Sequence, residues 1–97
     1  VIVGVTETLQ QLLKIGIEKG RFISFLDGQS HFCVLGAQIA KALQAQGANE
    51  LLGKQILIDK SYFTIIGIAQ SWPENTFFNQ DINRSILIPL EAQLNFT

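Results

Sequence analysis

The only histidine and the only cysteine of the chain lie two residues apart, and they are its most evident chemical candidate. His31 and Cys33 open the stretch HFCVLGAQIAKAL, residues 31–43. A thiol nucleophile needs an imidazole within hydrogen-bonding distance and usually a third group that orients the imidazole. On a β-strand, residues i and i+2 face the same side with β-carbons about 6–7 Å apart. That is close to the required distance, but it is not the arrangement of a standard catalytic pair.

The neighbours of Cys33 favour a structural role. Phe32 and Val34 flank it, and a cysteine among apolar residues is usually a small buried hydrophobe. A metal site needs three or four ligands, and the sequence offers no second His or Cys. We therefore expect no catalytic, cofactor-binding or metal site at this pair, and we predict a strand over residues 32–35.

The glycine that follows this strand could present backbone N–H groups to an anion at the start of a helix. However, Gly36 lacks the second and third glycines of a dinucleotide-binding fingerprint, and Gly53-Lys54 is followed by Gln rather than by Ser or Thr. The sequence therefore favours a tight turn between a strand and an amphipathic helix. Gly47 is well placed to end that helix.

Composition limits the classes of function. The chain has 97 residues, 47 % of them hydrophobic, and seven basic against eight acidic residues give a net charge of −1. The basic residues are scattered, so the sequence does not indicate a nucleic-acid-binding face. Its longest apolar stretch, YFTIIGIA, has eight residues, whereas a membrane-spanning helix needs about twenty. The abrupt start with a strand pattern and no signal-peptide pattern indicates a piece of a larger protein.

Apolar patterning predicts an α+β fold with a mixed sheet of about five strands, two short helices and one long loop. The start VIVGV (1–5) is apolar on both faces, as expected of a central strand. Thr8 is the expected cap of a short first helix. The pair Lys19-Gly20 is a turn signal.

The clearest pair of elements is a β-hairpin. KQILID (54–59) and SYFTIIGIAQ (61–70) flank a tight turn at Asp59-Lys60. The second arm is apolar on both faces, so we expect it in the centre of the sheet. SILI (85–88) is predicted to be the last strand, followed by a helical turn over 90–94.

Three large aromatic residues, Trp72, Phe77 and Phe78, lie in the long polar loop SWPENTFFNQDIN (71–83). They either fold back onto the sheet or form a patch that binds a partner, and both interpretations stay open. These three residues are the candidate partner contact. A small-molecule- or peptide-binding module that uses loop 71–83 is the alternative function.

Several short segments, in this order, resemble one protein family: VGVT (3–6), KGRFIS (19–24), CVLGAQIAKAL (33–43), LLGKQILIDKSYFTIIGIA (51–69) and ILIPLEAQL (86–94). They are similar to the extracytoplasmic core domain of MacB-type ABC transporter permeases, a group that includes the lipoprotein-release and FtsX-like permeases. Each motif is weak alone, but together they span almost the whole chain in the correct order.

The resemblance implies that residues 1–97 are a single extracytoplasmic domain fragment of a larger permease in the inner membrane, facing the periplasm. It implies a non-catalytic domain that couples cytoplasmic ATP hydrolysis to movement outside the membrane. The implied partners are an ABC ATPase subunit or domain, a periplasmic adaptor or lipoprotein, and a second permease copy in the full-length dimer. No nucleic acid is implied, and the substrate stays open among drugs, toxins, peptides, lipids and lipoproteins.

Two departures from the family pattern limit what the resemblance implies. The family domain is usually longer, so part of the fold is expected outside this chain. In lipoprotein-releasing relatives, the hairpin that matches residues 54–69 carries a long extension that engages a chaperone. Here the connection is only Asp59-Lys60-Ser61, which argues against that specific role.

Overall fold

The computed structural model of the chain describes residues 2–47, 49–72 and 82–94. The strands are β1 Ile2–Val5, β2 Ile17–Gly20, β3 Phe32–Leu35, β4 Gln55–Ile58, β5 Ser61–Ala69 and β6 Ile86–Pro89. The helices are α1 Glu7–Leu13, α2 Ala37–Ala45 and α3 Leu90–Leu94. Within these ranges, none of the helices has the length and apolar character that crossing a bilayer requires.

The longest strand, β5, organises the sheet. One edge of β5 pairs in parallel with β3, from Phe32 opposite Thr64 to Leu35 opposite Ile68. The first residues of β5 form a hairpin with β4, and its last residues pair antiparallel with β2. On the far side of β3 lies β6, antiparallel to β3 and parallel to β1. The resulting order is β1-β6-β3-β5-β2, with β4 beside β5.

Helices cover both faces of this sheet, as the alternation along β3 shows. Cys33 and Leu35 belong to a core cluster that also holds Ala40 of α2 and Ala92 of α3. Val34 belongs to a second cluster, together with partly buried leucines of α1. Strands buried on both faces need apolar residues at consecutive positions, and the run FCVL of β3 meets that requirement.

Strand directions bring several connections to one end of the sheet. At this end β1, β2, β4 and β6 finish, whereas β3 and β5 begin. We call it the turn end. It carries the hairpin turn at Asp59-Lys60, the 3₁₀ helix Phe25–Asp27 between β2 and β3, and the start of α3. Asp59 and Lys60 have φ values of 46° and 72°, as a two-residue hairpin turn requires.

Much of the predicted architecture is confirmed. The chain is α+β with a mixed sheet, and β3 covers the predicted residues 32–35. The hairpin turns at Asp59-Lys60, and β5 lies inside the sheet as expected. The second helix ends just before Gly47, which has a φ of 101°.

Other predictions about single elements are wrong. The turn predicted at Lys19-Gly20 lies instead within strand β2, Ile17–Gly20, which pairs with β5 and brings the sheet to six strands where about five were expected. The first strand lies at the end of the sheet order, and α3 packs against it. Thr6, and not Thr8, caps the first helix: its backbone is extended, and its Oγ1 accepts a hydrogen bond from the Leu9 N–H at 3.0 Å.

Candidate functional site

The histidine–cysteine pair lies at the start of β3. Cys33 is completely buried, and this burial raises the pKa of its thiol to about 12. His31 is exposed just before the strand, where its ring stacks on Phe63 with 4.6 Å between the ring centroids. A thiol that holds its proton this firmly is not an activated nucleophile. The interpretation of Cys33 as a core residue is confirmed.

Gly36 connects β3 to α2, and its backbone packs directly against a 3₁₀ helix at Ile82–Arg84. A β-carbon at Gly36 would overlap the carbonyl oxygen of Ile82 and would lie 2.6 Å from that of Asn83. The Gly36 N–H donates to the Ser85 carbonyl at 2.8 Å. Because this N–H is engaged within the chain, the glycine serves a close approach of two backbones rather than an anion site.

Trp72 belongs to the core cluster on the α1 face and is 9 % exposed. Its Nε1–H donates to the Leu13 carbonyl at 2.9 Å. Its backbone N–H donates to Asn83 Oδ1 at 2.7 Å, and Asn83 Nδ2 donates to the Trp72 carbonyl at 2.8 Å. These bonds fasten both ends of the aromatic loop to each other and to the end of α1. Phe77 and Phe78 lie outside the described residues, so a partner contact or ligand-binding module at these three aromatics stays a prediction.

A surface that the sequence interpretation did not single out lies in the 3₁₀ helix of the turn end. Phe25 is 76 % exposed and Leu26 is 82 % exposed. Ser24 and Asp27 cap this helix: the Leu26 N–H donates to Ser24 Oγ at 3.2 Å, and the Ser24 N–H donates to Asp27 Oδ2 at 2.7 Å. The spacing Ser24-x-x-Asp27 resembles a capping box, and it was the available signal for an ordered turn at this position.

An ion pair fixes the same turn. Arg21 donates through Nη1 and Nη2 to the two carboxylate oxygens of Asp27 at 3.2 and 3.0 Å. Burial raises the pKa of Asp27, but the hydrogen bonds from Arg21 and from the Ser24 N–H, with the charge of Arg21, outweigh it and lower the pKa overall. The ionised carboxylate therefore stabilises the fold above about pH 4. This contribution is lost as the pH falls through the lowered pKa.

An open cleft of about 360 Å³ lies between α1 and residues 21–24. Its lining includes buried Gln10, whose Nε2 donates to the Ile23 carbonyl at 2.7 Å and whose Oε1 accepts from the Ile23 N–H at 3.2 Å. Across residues 2–47, 49–72 and 82–94, no buried side-chain nitrogen or oxygen lacks a partner. The same residues form no group of three His, Cys, Asp or Glu side chains that could hold a metal. The cleft thus presents no unpaired buried polar group to a ligand.

Comparison with known proteins gives one family and one fold. The family model described as the MacB-like periplasmic core domain matches residues 1–97. Among solved structures, the crystal structure of the periplasmic region of MacB from Actinobacillus actinomycetemcomitans is similar, with a TM-score of 0.71 and 24 % sequence identity. The match covers 97 % of this chain and 39 % of that one. No curated protein matches the chain.

These two findings answer different questions. At 24 % identity the structural likeness shows the fold, and a fold by itself does not define a function. The family model, in contrast, covers every residue of the sequence. The chain therefore belongs to the family of MacB-like periplasmic core domains, which are extracytoplasmic domains of ABC transporter permeases.

Proposed function

We propose that this domain couples ATP hydrolysis in the cytoplasm to the movement of a substrate or partner protein outside the membrane. The observation that carries the proposal is the family match over residues 1–97. In this proposal a separate nucleotide-binding subunit or domain hydrolyses ATP, and the permease lies in the inner membrane with this domain facing the periplasm. Two permease copies form the working transporter, and a periplasmic adaptor or a lipoprotein is the partner.

The packing of the first and last described elements supports a mechanical role. β1 pairs with β6 along its whole length, from Ile2 opposite Ile86 to Val5 opposite Pro89. The last helix, α3, packs against both of these strands. Because β6 also pairs with β3, a displacement of either element passes directly into the buried centre of the sheet. Close-packed interiors have low compressibility and transmit strain, as coupling by a domain requires.

The chemistry of the described residues supports the same proposal. Cys33 is buried with a raised pKa, and the ring of His31 stacks on that of Phe63. The ion pair between Arg21 and Asp27 holds the turn that carries the 3₁₀ helix. The contribution of this domain is then its shape and its stiffness.

A pair of glycine substitutions tests the coupling role in the full-length permease. A β-carbon at Gly4 meets the side chains of Gln93 and Leu90 in α3, whereas one at Gly16 meets the side chain of Gln70, away from α3. These contacts are side-chain ends that can move aside for a methyl group, so the test uses leucine: the bulk of Gly4→Leu is expected to loosen the packing of α3 on β1, and Gly16→Leu is the matched control. We expect Gly4→Leu to leave ATP hydrolysis in place while the amount of substrate moved per ATP falls about tenfold.

The measurement uses the permease and its ATPase reconstituted in proteoliposomes, with ATP hydrolysis and substrate movement followed together. Circular dichroism confirms that both variants are folded. The amount of substrate moved per ATP should fall for Gly4→Leu only. An equal fall for Gly16→Leu, or an unchanged value for Gly4→Leu, would contradict coupling through the contact of α3 with β1. A wild-type permease that moves substrate without using ATP would overturn the proposed function itself.

A further inference from the structure

Large apolar side chains that face solvent are concentrated at the turn end. Seven such side chains are exposed among the described residues, and five of them lie at this end: Phe25, Leu26, Leu57, Tyr62 and Leu90. Leu57 and Tyr62 are directly opposite each other in the β4–β5 hairpin, and they are 62 % and 61 % exposed. Exposed apolar residues that gather in one region mark interaction surfaces, whereas single ones are ordinary.

The two most exposed members of this group are held in a fixed position. The Phe25 N–H donates to Glu7 Oε2 on α1 at 3.1 Å, and the Asp27 N–H donates to the Ser24 carbonyl at 2.9 Å. The bidentate ion pair of Arg21 with Asp27 closes the turn from its other side. Because the turn is already ordered, little backbone entropy is lost when its apolar side chains bind. A rigid apolar anchor of this kind is typical of the centre of a protein interface.

The charges of the turn end indicate the chemistry of the partner. The charged side chains in or next to the described elements at this end are four carboxylates and two cations, a net −2 with His31 counted as neutral: Glu7, Asp27, Asp59, Glu91, Arg21 and Lys60. Binding to anionic lipid headgroups depends on clustered Lys and Arg, so this surface does not suit a membrane. A protein surface with basic residues around an apolar pocket complements both its charge and its apolar side chains.

We propose that the turn end is a protein-docking surface in which Phe25 and Leu26 enter an apolar pocket of a partner whose rim carries Lys or Arg. The Leu57–Tyr62 pair and Leu90 lie at the same end of the sheet. The inference rests on the proposed function in one respect, since the partner is the extracytoplasmic protein on which the domain acts. The binding itself is measured independently of transport.

Site-specific photo-cross-linking in cells that make the full-length permease tests the location. A photoreactive phenylalanine analogue replaces Phe25 or Leu26, and Leu12 is the control position because it is 73 % exposed but lies near the other end of α1. We expect positions 25 and 26, but not 12, to cross-link to one protein at an apolar site bordered by Lys or Arg. Cross-links to lipid, to a second copy or to the same chain, equal yields at position 12, or no cross-link would overturn the proposal.

Affinity measurements with that protein and the purified permease test the anchor. Phe25→Gln and Leu26→Gln should each weaken binding about tenfold, mainly through faster dissociation, and Leu12→Gln should not. Added salt should also weaken binding, because it screens the basic rim from the carboxylates. Unchanged affinity in both variants would overturn the docking surface even where the permease still couples ATP hydrolysis to transport. A wild-type permease that binds this partner protein normally but does not couple ATP hydrolysis to transport would instead contradict the proposed function.

Discussion

Several polar side chains of this domain hold together segments that the sheet does not join. Gln10 bonds both the N–H and the carbonyl of Ile23, thirteen residues further along the chain. Trp72 and Asn83 exchange two bonds across eleven residues, and the indole also bonds Leu13. Buried and partly buried polar networks whose members are paired rigidify a structure and specify one arrangement of it. The connections over the α1 face are therefore ordered by single side chains as much as by packing.

The buried thiol of Cys33 should resist chemical labelling. A thiol whose pKa is raised from 9.0 to about 12 has about a thousand-fold less thiolate at pH 8 than an unshifted one, and its burial also blocks access. We expect a thiol-specific disulfide reagent to label the folded protein far more slowly than the protein in urea. The sign of the pH effect follows: the unfolded thiol loses its proton first, so stability declines as the pH rises above about 9. Equal labelling rates in both states would contradict the core assignment.

Among the strands and helices, a local sequence pattern predicted an element correctly where adjacent residues alone determine it. The FCVL run of β3 and the hairpin around Asp59-Lys60 could be predicted because apolar residues and turn residues follow each other directly. β2 could not be predicted, since IEKG exposes three of its four residues and its pairing with β5 is irregular. What makes it a strand is a neighbour almost fifty residues away, which no local pattern contains.

For the candidate site, too, the sequence predicted some features and not others. Burial of Cys33 was predictable from its apolar neighbours, because a strand covered on both faces leaves no room for a polar role. The exposure of Phe25 and Leu26 could not be predicted from the sequence, because large apolar residues are expected inside a protein. The bonds of Arg21 and Glu7 to this turn join separate elements, and together with the Ser24 cap they hold the turn in which both side chains face solvent.

The junction between β3 and α2 leaves no space for a side chain at Gly36. Gly36→Ala places a methyl group against the carbonyl oxygens of Ile82 and Asn83, and backbone cannot move aside as a side chain end can. We expect a loss of about 1–3 kcal/mol in the free energy of unfolding, measured by urea denaturation. Gly16→Ala is the matched control, since its new methyl group meets only the mobile end of Gln70. Similar losses in the two variants would argue against the backbone approach as the cause.

On the scale of the whole molecule, the sheet order sets where the domain is most resistant to opening. β3, β5 and β6 each have strand neighbours on both edges, whereas β1 and β2 each have one. The buried residues of the two core clusters also concentrate on the inner strands. The stiffest part of the domain is thus the three-stranded centre of β6, β3 and β5, and β1 and β2 lie at its outer edges.

Hydrogen exchange followed by mass spectrometry on the full-length protein tests this distribution. Amides of β3 and of the second half of β5 should exchange about tenfold or more slowly than those of β1 and β2, because they open only with the larger cooperative unit. Peptides from α2 are the internal reference, since that helix packs on the inner strands. Exchange in β1 as slow as in β3 would mean that the outer strand opens together with the centre. It would contradict the difference in stability between the inner and outer strands.

The two-residue turn at Asp59-Lys60 has a consequence for how domains of this architecture can diversify. Both residues are exposed, and the strand that follows them is held independently by β3 and β2 beyond the reach of the hairpin. Residues added between β4 and β5 would therefore lengthen an arm without changing the alignment of the inner strands. Two domains could therefore share the same six-stranded scaffold and differ only in how far that arm projects from it.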